Sequence, residues 1–382
     1  MKSLFIVGYF GSDNLGDDLL LAALLDRLVP MRLRGIVRLA VLSNSPHLSS
    51  KNFTTVLKRD FFGILSELPQ TDIIIGCGGS LLQDATSLRS IKYYAGLIRW
   101  AKLFGARVAL VAQGLGPLTR PASRRLALRT LNAAEYLSFR DATAAQLAAE
   151  LGVAKSRLAV SADLAFTLDA DAHYNPSFER NFFPALHSLP KPAPAGEDLF
   201  VVGQVEDRPR FVALCPRPLG DPAKQVGVLT KLADDLTKFP GVRVVLIPFH
   251  FEQDTALCED IHRRCKVKPL FVQDRLSVDN LLSLYRRLDL VVGYRLHSLI
   301  LACKFGIPAV GLSYDPKVDS FCKAASIPCL PAGSDFAESV VKLAFETMTH
   351  PDKAQAALAD ASAKFAASAK SDIDALLRWV TE

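Results

Sequence analysis

The feature that most constrains the fold of this chain is a repeated alternation of short β-branched runs with long amphipathic segments. Such alternation predicts parallel strands covered by helices, an α/β fold. The predicted strands are SLFIVGY, RLAVLS, DIIIGCG, RVALVAQ, YLSFRD and RLAVSAD in the first half, and FVALCPR, VRVVLIPF, LDLVVGYR and PAVGLSY in the second. Segments such as SIKYYAGLIRWAKLFG and VGVLTKLADDLTKF are predicted helices between them.

A proline-rich interruption divides the alternation into two halves. Six prolines stand between residues 171 and 210, where neither the strand pattern nor the helix pattern continues. We therefore predict an N-terminal α/β domain over 1–170, a linker over 171–210, a C-terminal α/β domain over 211–350, and one or two closing helices over 351–382 that pack near the linker. Because open sheets bind ligands beyond the carboxyl ends of their strands, we expect two Rossmann-like domains facing a cleft.

Charge and cysteine patterns narrow the classes of partner. Residues 1–180 contain 21 basic and 15 acidic residues and so hold the whole net charge of +6. This positive field indicates an anionic small molecule or peripheral contact with an anionic membrane, unless it is an ordinary solvated surface. Basic runs are not interleaved with aromatic residues, so no nucleic-acid partner is expected. The seven cysteines form no CxxC pair, which predicts no metal site and buried reduced thiols.

The apolar runs and the N-terminal residues indicate in which part of the cell the protein is located. Charged residues break every long apolar run before about 18 residues, so no membrane-spanning helix is predicted. The first strand begins directly after Met-Lys-Ser, with no cleavage site before it, which predicts a cytoplasmic protein.

Three glycine-containing loops follow predicted strands in the first half: GYFGSDNLGDD, GCGGSLLQD and QGLGPL. Glycines allow tight turns, and free amides at a helix start can receive an anion or a sugar hydroxyl. The first loop lacks GxGxxG spacing and carries aspartates that repel a pyrophosphate. The alternatives are a turn capped by Asn14 and Asp17, and a simple Gly-Pro turn. The candidate ligand residues are Gly11, Asn14, Gly16, Asp17, Gly78, Gly79, Ser80, Gln83, Asp84 and Gln113.

Charged residues after three further strands are candidates for chemistry. Arg140 in SFRD offers a planar fork for a carboxylate or phosphate, or else forms a surface pair with Asp141. His250 and Asp254 follow a buried strand in PFHFEQD and are expected to reach the same cleft, where His250 is a candidate for substrate binding; the alternative is a structural histidine.

The strongest functional motif is GYRLHS, which lies between apolar runs. There we expect Arg295 and His297 to alternate on a strand or loop and to point the same way, Arg295 holding an anion and His297 moving protons. A buried salt-bridge network is the structural alternative.

Taken together, these six motifs resemble, in order and spacing, the polysaccharide pyruvyl transferase family, and its CsaB-type members most closely. The resemblance covers residues 6–331 and implies a GT-B-like architecture. It also implies transfer of pyruvate from phosphoenolpyruvate to two hydroxyls of one sugar as a cyclic ketal, with phosphate released and no cofactor beyond this co-substrate. CsaB-type enzymes act on N-acetylmannosamine in a lipid-linked cell-wall glycan precursor.

The resemblance carries over to individual positions. It implies donor-binding and catalytic roles for Arg140, Arg295 and His297, and Arg217 in LCPRP stands where the family tends to have an arginine. The chain departs from the family in having Tyr294 before Arg295, where methionine or a similar residue is expected. Two other functions stay open: a GT-B glycosyltransferase that uses a nucleotide sugar, and a non-catalytic glycan-binding protein.

Overall fold

Both halves of the chain form parallel sheets, as the alternation predicts. The computed structural model describes residues 1–48, 50–84, 88–183, 209–332 and 337–382, without the side chain of Lys353. Residues 184–208, within the predicted linker, lie outside this described part. The contacts divide the chain into two units: unit 1 is Met1–Leu168 with Ala363–Glu382, and unit 2 is Asp169–Ser362.

Unit 1 contains a seven-stranded parallel sheet in the order β3-β2-β1-β4-β5-β6-β7. Its strands are β1 (Lys2–Val7), β2 (Val37–Ser43), β3 (Thr54–Leu57), β4 (Ile73–Cys77), β5 (Arg107–Gln113), β6 (Tyr136–Phe139) and β7 (Ala159–Val160). Its helices are α1 (Leu15–Leu33), α2 (Phe61–Glu67), α3 (Leu88–Leu103), α4 (Pro121–Ala133) and α5 (Ala142–Leu151).

Unit 2 contains a six-stranded parallel sheet in the order β10-β9-β8-β11-β12-β13. Its strands are β8 (Arg210–Cys215), β9 (Val242–Leu246), β10 (Leu270–Phe271), β11 (Leu288–Gly293), β12 (Ala309–Ser313) and β13 (Cys329–Pro331). Its helices are α6 (Pro176–Phe182), α7 (Pro222–Leu236), α8 (Phe251–Arg264), α9 (Val278–Tyr285), α10 (Leu296–Lys304), α11 (Pro316–Ala324) and α12 (Ala337–Thr349). The last helix, α13 (Pro351–Thr381), begins in unit 2 and ends in unit 1.

Local sequence explains where these elements begin and end. The central strands are buried along their length because helices cover both faces of a parallel sheet. Asn14 caps α1 and Asp141 caps α5, each by accepting a hydrogen bond from a free backbone amide. Gly152, with a φ of 104°, ends α5 in the left-handed conformation that glycine favours.

The C-terminal residues of α13 pack onto unit 1. Asp372 accepts hydrogen bonds from the hydroxyls of Tyr136 and Ser138 at 2.6 and 2.7 Å. The ring of Trp379 lies 3.8 Å from the guanidinium carbon of Arg107. Unit 1 therefore consists of two stretches of chain that are far apart in sequence.

The sheets confirm the predicted α/β class. No helix in the described part of the chain is long and apolar enough to cross a membrane.

Candidate active site

The two sheets share one topological feature that locates their binding edges. In each, the strand order reverses beside the first strand of the unit, between β1 and β4 in unit 1 and between β8 and β11 in unit 2. Loops at the carboxyl ends of strands beside such a reversal diverge and leave a crevice. The predicted motifs fall on these loops and on those that follow the neighbouring strands.

In unit 1, Arg140 follows β6 and is nearly buried. Its Nε lies 3.4 Å from Oδ2 of Asp141, and its Nη1 lies 3.6 Å from Oδ2 of Asp163. Both distances exceed the roughly 2.7–2.9 Å of a tight charge-assisted hydrogen bond. Asp141 is also engaged as the cap of α5. The charge of Arg140 is therefore balanced, but neither carboxylate locks the guanidinium in place.

Gly114, directly after β5, lets three groups approach one another. A β-carbon at this position would lie 2.8 Å from Nη2 of Arg140, 2.8 Å from Oγ of Ser80 and 2.7 Å from the carbonyl oxygen of Gly79. Real β-carbons do not make contacts this short, so the position requires glycine. The loops after β4, β5 and β6 thus converge around Gly114 and bring Ser80 and Arg140 together.

The loop after β1 reaches the same cluster through Asp17. Asn14 accepts a hydrogen bond from the Gly16 amide at 3.1 Å, and its side-chain amide donates to the buried carboxylate of Asp17. A β-carbon on Gly79 would lie 2.9 Å from Oδ1 of Asp17. Gly79 also has a φ of +61°, so both its conformation and its surroundings favour glycine.

Gln113 ends β5 beside an irregularity in the strand. The pairing of β5 with β6 shifts between Leu110 and Gln113, and Ala112 has a φ of +46°. Nε2 of Gln113 donates to the Gly76 carbonyl at 2.9 Å, while its buried Oε1 has no hydrogen-bond partner among the described residues. The Ala112 amide donates to Ser138, which donates in turn to Asp372 of α13. A bulge supported from α13 therefore orients Gln113.

Asp84 and the other predicted residues of unit 1 have contacts different from those of the cluster around Gly114. The buried carboxylate of Asp84 accepts hydrogen bonds from the backbone amides of Thr119 and Arg120 at 2.9 and 3.0 Å, and it therefore ties its own segment to the start of α4. Burial acts to raise the pKa of Asp84, but these bonds and two from the side chains of Ser123 and Thr119 outweigh it and leave the pKa lowered. The remaining residues are Gly16 in the first turn of α1, Gly11 against Ser43 and Ser45, Gly78 against Leu20, and Gln83, half-buried beside Asp84.

In unit 2, Arg295 follows β11 and is held by a fully buried carboxylate. Its Nε donates to Oδ2 of Asp254 at 3.0 Å, and its Nη2 donates to Oδ1 of Asp254 and to the side chain of Gln253. Asp254 also accepts from the backbone amide of His250 at 2.8 Å. This fork-to-carboxylate geometry fixes the guanidinium plane. The Nη1 group makes no hydrogen bond to a described residue.

A second arginine of unit 2 lies against a tyrosine. Arg217, after β8, stacks its guanidinium carbon 4.3 Å from the ring centre of Tyr314 and donates to the Tyr314 hydroxyl. Burial raises the pKa of Tyr314, while the charges of Arg217 and Arg295 both act to lower it. Arg217 has no carboxylate partner in the described residues. Arg217 therefore lies against Tyr314, and Arg295 is near enough for its charge to act on the same phenol, at the carboxyl ends of β8, β11 and β12.

The two candidate histidines lie at helix starts. His250 is buried and precedes α8, and its amide is held by Asp254. The prediction that Arg295 and His297 alternate along one strand or loop is wrong, because β11 ends at Gly293 and His297 lies in the first turn of α10. The helix begins there because the Arg295 carbonyl accepts from the Ser298 amide at 2.9 Å.

Three residues of these clusters were not predicted from the sequence, and a fourth had no predicted role. Gly114 lies inside the quoted motif QGLGPL, and Tyr314 is the last residue of the predicted strand PAVGLSY, so position alone was a signal for both. Asp163 is likewise the last residue of the predicted strand RLAVSAD. Asp254 was noticed in its motif, but its pairing with Arg295 spans 41 residues and depends on the strand order. No group of three His, Cys, Asp or Glu side chains in the described ranges is placed to hold a metal ion.

The two Rossmann-like units define a class, the enzymes of GT-B fold. UDP-GlcNAc 2-epimerase from Neisseria meningitidis, solved with UDP-GlcNAc, aligns at a TM-score of 0.64 and 10% identity over 99% of this chain and 100% of that one. HepE from Anabaena, solved with UDP-glucose, aligns at 0.62 and 14% identity over 99% of each chain. A glycosyltransferase from Rickettsia africae aligns at 0.60 and 11% identity over 99% and 97%. These likenesses confirm the predicted GT-B fold.

Within that class the chain belongs to the polysaccharide pyruvyl transferase family, whose model matches residues 14–316. The protein is therefore a transferase enzyme of polysaccharide biosynthesis, as the motif resemblance predicts. No curated protein matches the sequence significantly.

Proposed function

We propose that this enzyme transfers pyruvate from phosphoenolpyruvate onto a sugar as a cyclic ketal and that the carboxyl edge of the unit 2 sheet binds the donor. The observation that carries the proposal is the pair of arginines, Arg217 and Arg295, around Tyr314. Phosphoenolpyruvate bears a phosphate and a carboxylate, and planar guanidinium groups match both geometrically.

Local charge supports a donor at this edge. Asp254 balances Arg295, whereas Arg217 is paired only with the neutral phenol of Tyr314. Asp315, directly after Tyr314, lies 3.3 Å from the ammonium of Lys317, so the edge keeps a surplus positive charge from Arg217. The N-terminus of α10, immediately after Arg295, adds the partial positive charge of its free amides. An anionic ligand fits these surroundings better than a neutral one.

The reaction requires proton transfers that assign a role to His297. The methylene carbon of the donor gains one proton, two sugar hydroxyls lose one each, and the departing phosphate takes the remaining proton. Two C–O bonds to the sugar form as the bond to phosphate breaks and the C=C bond becomes a C–C bond. An imidazole exchanges protons near neutral pH, and His297 is the histidine of GYRLHS, so we propose it as the general acid and base.

The glycine-rich edge of unit 1 fits the acceptor better. Its groups include Ser80, Asn14, the buried acceptor of Gln113, and Arg140 with its charge balanced. A neutral sugar needs several hydrogen-bonding groups of this kind rather than a surplus charge. We propose Arg140 as a catalytic residue that stabilises charge on the reacting groups.

The acceptor proposed is N-acetylmannosamine of a lipid-linked cell-wall glycan precursor, as in CsaB-type enzymes. We propose that the reaction takes place in the cytoplasm with peripheral contact to the membrane. The free thiols support a reducing compartment, and the positive charge of the first half supports an anionic membrane.

Phosphate release from phosphoenolpyruvate tests the proposal, measured with a synthetic N-acetylmannosamine disaccharide for the wild type and for His297→Ala. Release that depends on the acceptor and disappears in the variant is expected. Release unaffected by the variant would remove His297 from the reaction. A nucleotide-sugar glycosyltransferase is the competing function, and it predicts that UDP-sugars, not phosphoenolpyruvate, raise the melting temperature.

A further inference from the structure

An exposed aromatic surface lies on α2 and α3 of unit 1. Phe62 is 79% exposed, Trp100 is 41% exposed, and Phe61 and Leu65 are exposed beside them. The rings are in contact: Phe61 packs edge-on against Phe62 at 5.8 Å and against Trp100 at 6.1 Å between ring centres. We call these four residues the aromatic surface. Exposed apolar side chains in contact with one another are typical of an interaction site.

Cations surround the aromatic surface, and their charges are not neutralised. Arg59 precedes α2, and Lys92 and Arg99 are exposed on α3; none of the three forms an ion pair in the described part of the chain. Residues 88–104 contain four basic residues and no acidic residue. The nearest carboxylate in sequence, Asp60, is engaged as the cap of α2. Asp60 keeps its own negative charge, so the surface is apolar and carries a net positive charge from Arg59, Lys92 and Arg99.

We propose that the aromatic surface and its surrounding cations dock unit 1 onto an anionic phospholipid bilayer. Tryptophan and phenylalanine rings enter the headgroup boundary, and lysine and arginine bind the lipid phosphates. A second copy of the chain fits less well, because a twofold contact through this surface would bring Lys92 and Arg99 near their own copies with no carboxylate on α3 to receive them.

The surface is connected to the candidate acceptor edge. Lys58, which precedes Arg59, places its ammonium 5.4 Å from the ring centre of Tyr9 on the loop after β1. That loop continues to Asn14 and Asp17. Docking through the aromatic surface therefore positions this loop close to the bilayer, where a lipid-linked acceptor is located. Bilayer binding deepens the membrane contact of the proposed function, and this last step rests also on its lipid-linked acceptor.

Vesicle sedimentation tests the docking without any catalytic readout. Full-length protein at physiological ionic strength is mixed with vesicles of phosphatidylglycerol and phosphatidylcholine, or of phosphatidylcholine alone. The wild type is expected to sediment with the anionic vesicles only. Lys92→Gln with Arg99→Gln should lower the partitioning of the protein onto anionic vesicles about thirtyfold, because each cation near an anionic surface raises membrane binding roughly fivefold. Phe62→Ser with Trp100→Ser should lower it by at least about tenfold.

A matched control removes two exposed cations from unit 2, Arg264→Gln with Lys266→Gln, and it should sediment like the wild type. All variants change exposed side chains, and equal melting temperatures would show that they fold. The proposal would be overturned if the wild type stayed in the supernatant or if the variants of the aromatic surface and its cations sedimented normally. A control that lost vesicle binding to the same extent would also overturn it. A dimer that the aromatic variants dissociate would also overturn it. Failure of phosphate release with intact sedimentation would reject the proposed function alone.

Discussion

The two sheets differ in the residues that form their carboxyl edges. In unit 1 the edge consists of glycine loops around Gly114, and the charge of Arg140 is opposed by carboxylates at 3.4 and 3.6 Å. In unit 2 it consists of side chains: Arg295 is fixed by the fully buried Asp254, and Arg217 stacks on Tyr314. The same strand order therefore supports one edge suited to a neutral polyol and one suited to an anion.

The difference shows that fold alone does not assign ligands to units of this type. Both sheets reverse their order beside their first strand, so topology predicts a crevice at each. The charge that remains after local pairing distinguishes them. In unit 2, Arg217 has a neutral tyrosine and no carboxylate as its partner among the described residues, whereas the strand-end arginine of unit 1 has two acidic neighbours.

The largest expected effect comes from breaking the Arg295–Asp254 pair. Asp254→Asn leaves Arg295 without its anchor in a buried site, and the loss of one partner of a buried pair costs about 3–5 kcal/mol. Phosphate release should fall by at least about a hundredfold. The free energy of unfolding, measured in urea, should fall by the same amount, about 3–5 kcal/mol. If Asp254→Asn has the same urea midpoint of unfolding as the wild type and the same turnover, Asp254 does not fix Arg295 at the edge of unit 2.

Gly114→Ala tests whether the edge of unit 1 depends on close backbone approach. The added β-carbon would lie 2.7 Å from the Gly79 carbonyl oxygen, so the loop must shift, at a cost of about 1–3 kcal/mol. Turnover at limiting acceptor should fall about tenfold or more. Gly96→Ala is the matched control: it lies in α3 with nothing within 4 Å of the added atom and should stabilise the protein by about 0.5–1 kcal/mol. Equal behaviour of the two variants would contradict the convergence of loops.

Ser138→Ala tests the support that α13 gives to the bulge in β5. The change removes the acceptor for the Ala112 amide, in a buried position, and should cost about 1–3 kcal/mol of stability. Because the bulge orients Gln113, the KM for the acceptor should rise while binding of phosphoenolpyruvate is unchanged. A rise in the donor Kd instead would place Gln113 on the donor side.

The smallest effect concerns pH and Asp84. The lowered pKa of this carboxyl means that its contribution to stability is present above the pKa of the unfolded chain and is lost as pH falls through the folded value. Asp84→Asn should therefore lower stability at neutral pH and flatten the acid side of the stability profile. Identical acid profiles for variant and wild type would show that Asp84 is not the tie between its loop and α4.

Long buried runs made most of the fold predictable. RVALVAQ coincides with β5, and LDLVVGYR contains β11 with two extra residues at its end. The missed strands β3, β10 and β13 have four, two and three residues, which is too short for a periodic signal. The alanine-rich tail, predicted as one or two helices, is one helix of 31 residues.

The site was less predictable than the fold. The residue types after each strand identified Arg140, Arg217 and Arg295, because topology brings strand ends to one edge. Their partners were not predictable, since the pairing of Arg295 with Asp254 requires the order of β9, β8 and β11. The contact between Asp372 and Ser138 spans 234 residues and has no local signal.

Calorimetric titration with phosphoenolpyruvate tests most directly the claim that the donor binds at the edge of unit 2. We predict that Arg217→Met weakens binding by at least about thirtyfold, as expected on loss of a charge-assisted hydrogen bond worth roughly 2 kcal/mol, while Gly114→Ala binds like the wild type. Wild-type affinity in Arg217→Met, or an equal loss in Gly114→Ala, would contradict the claim.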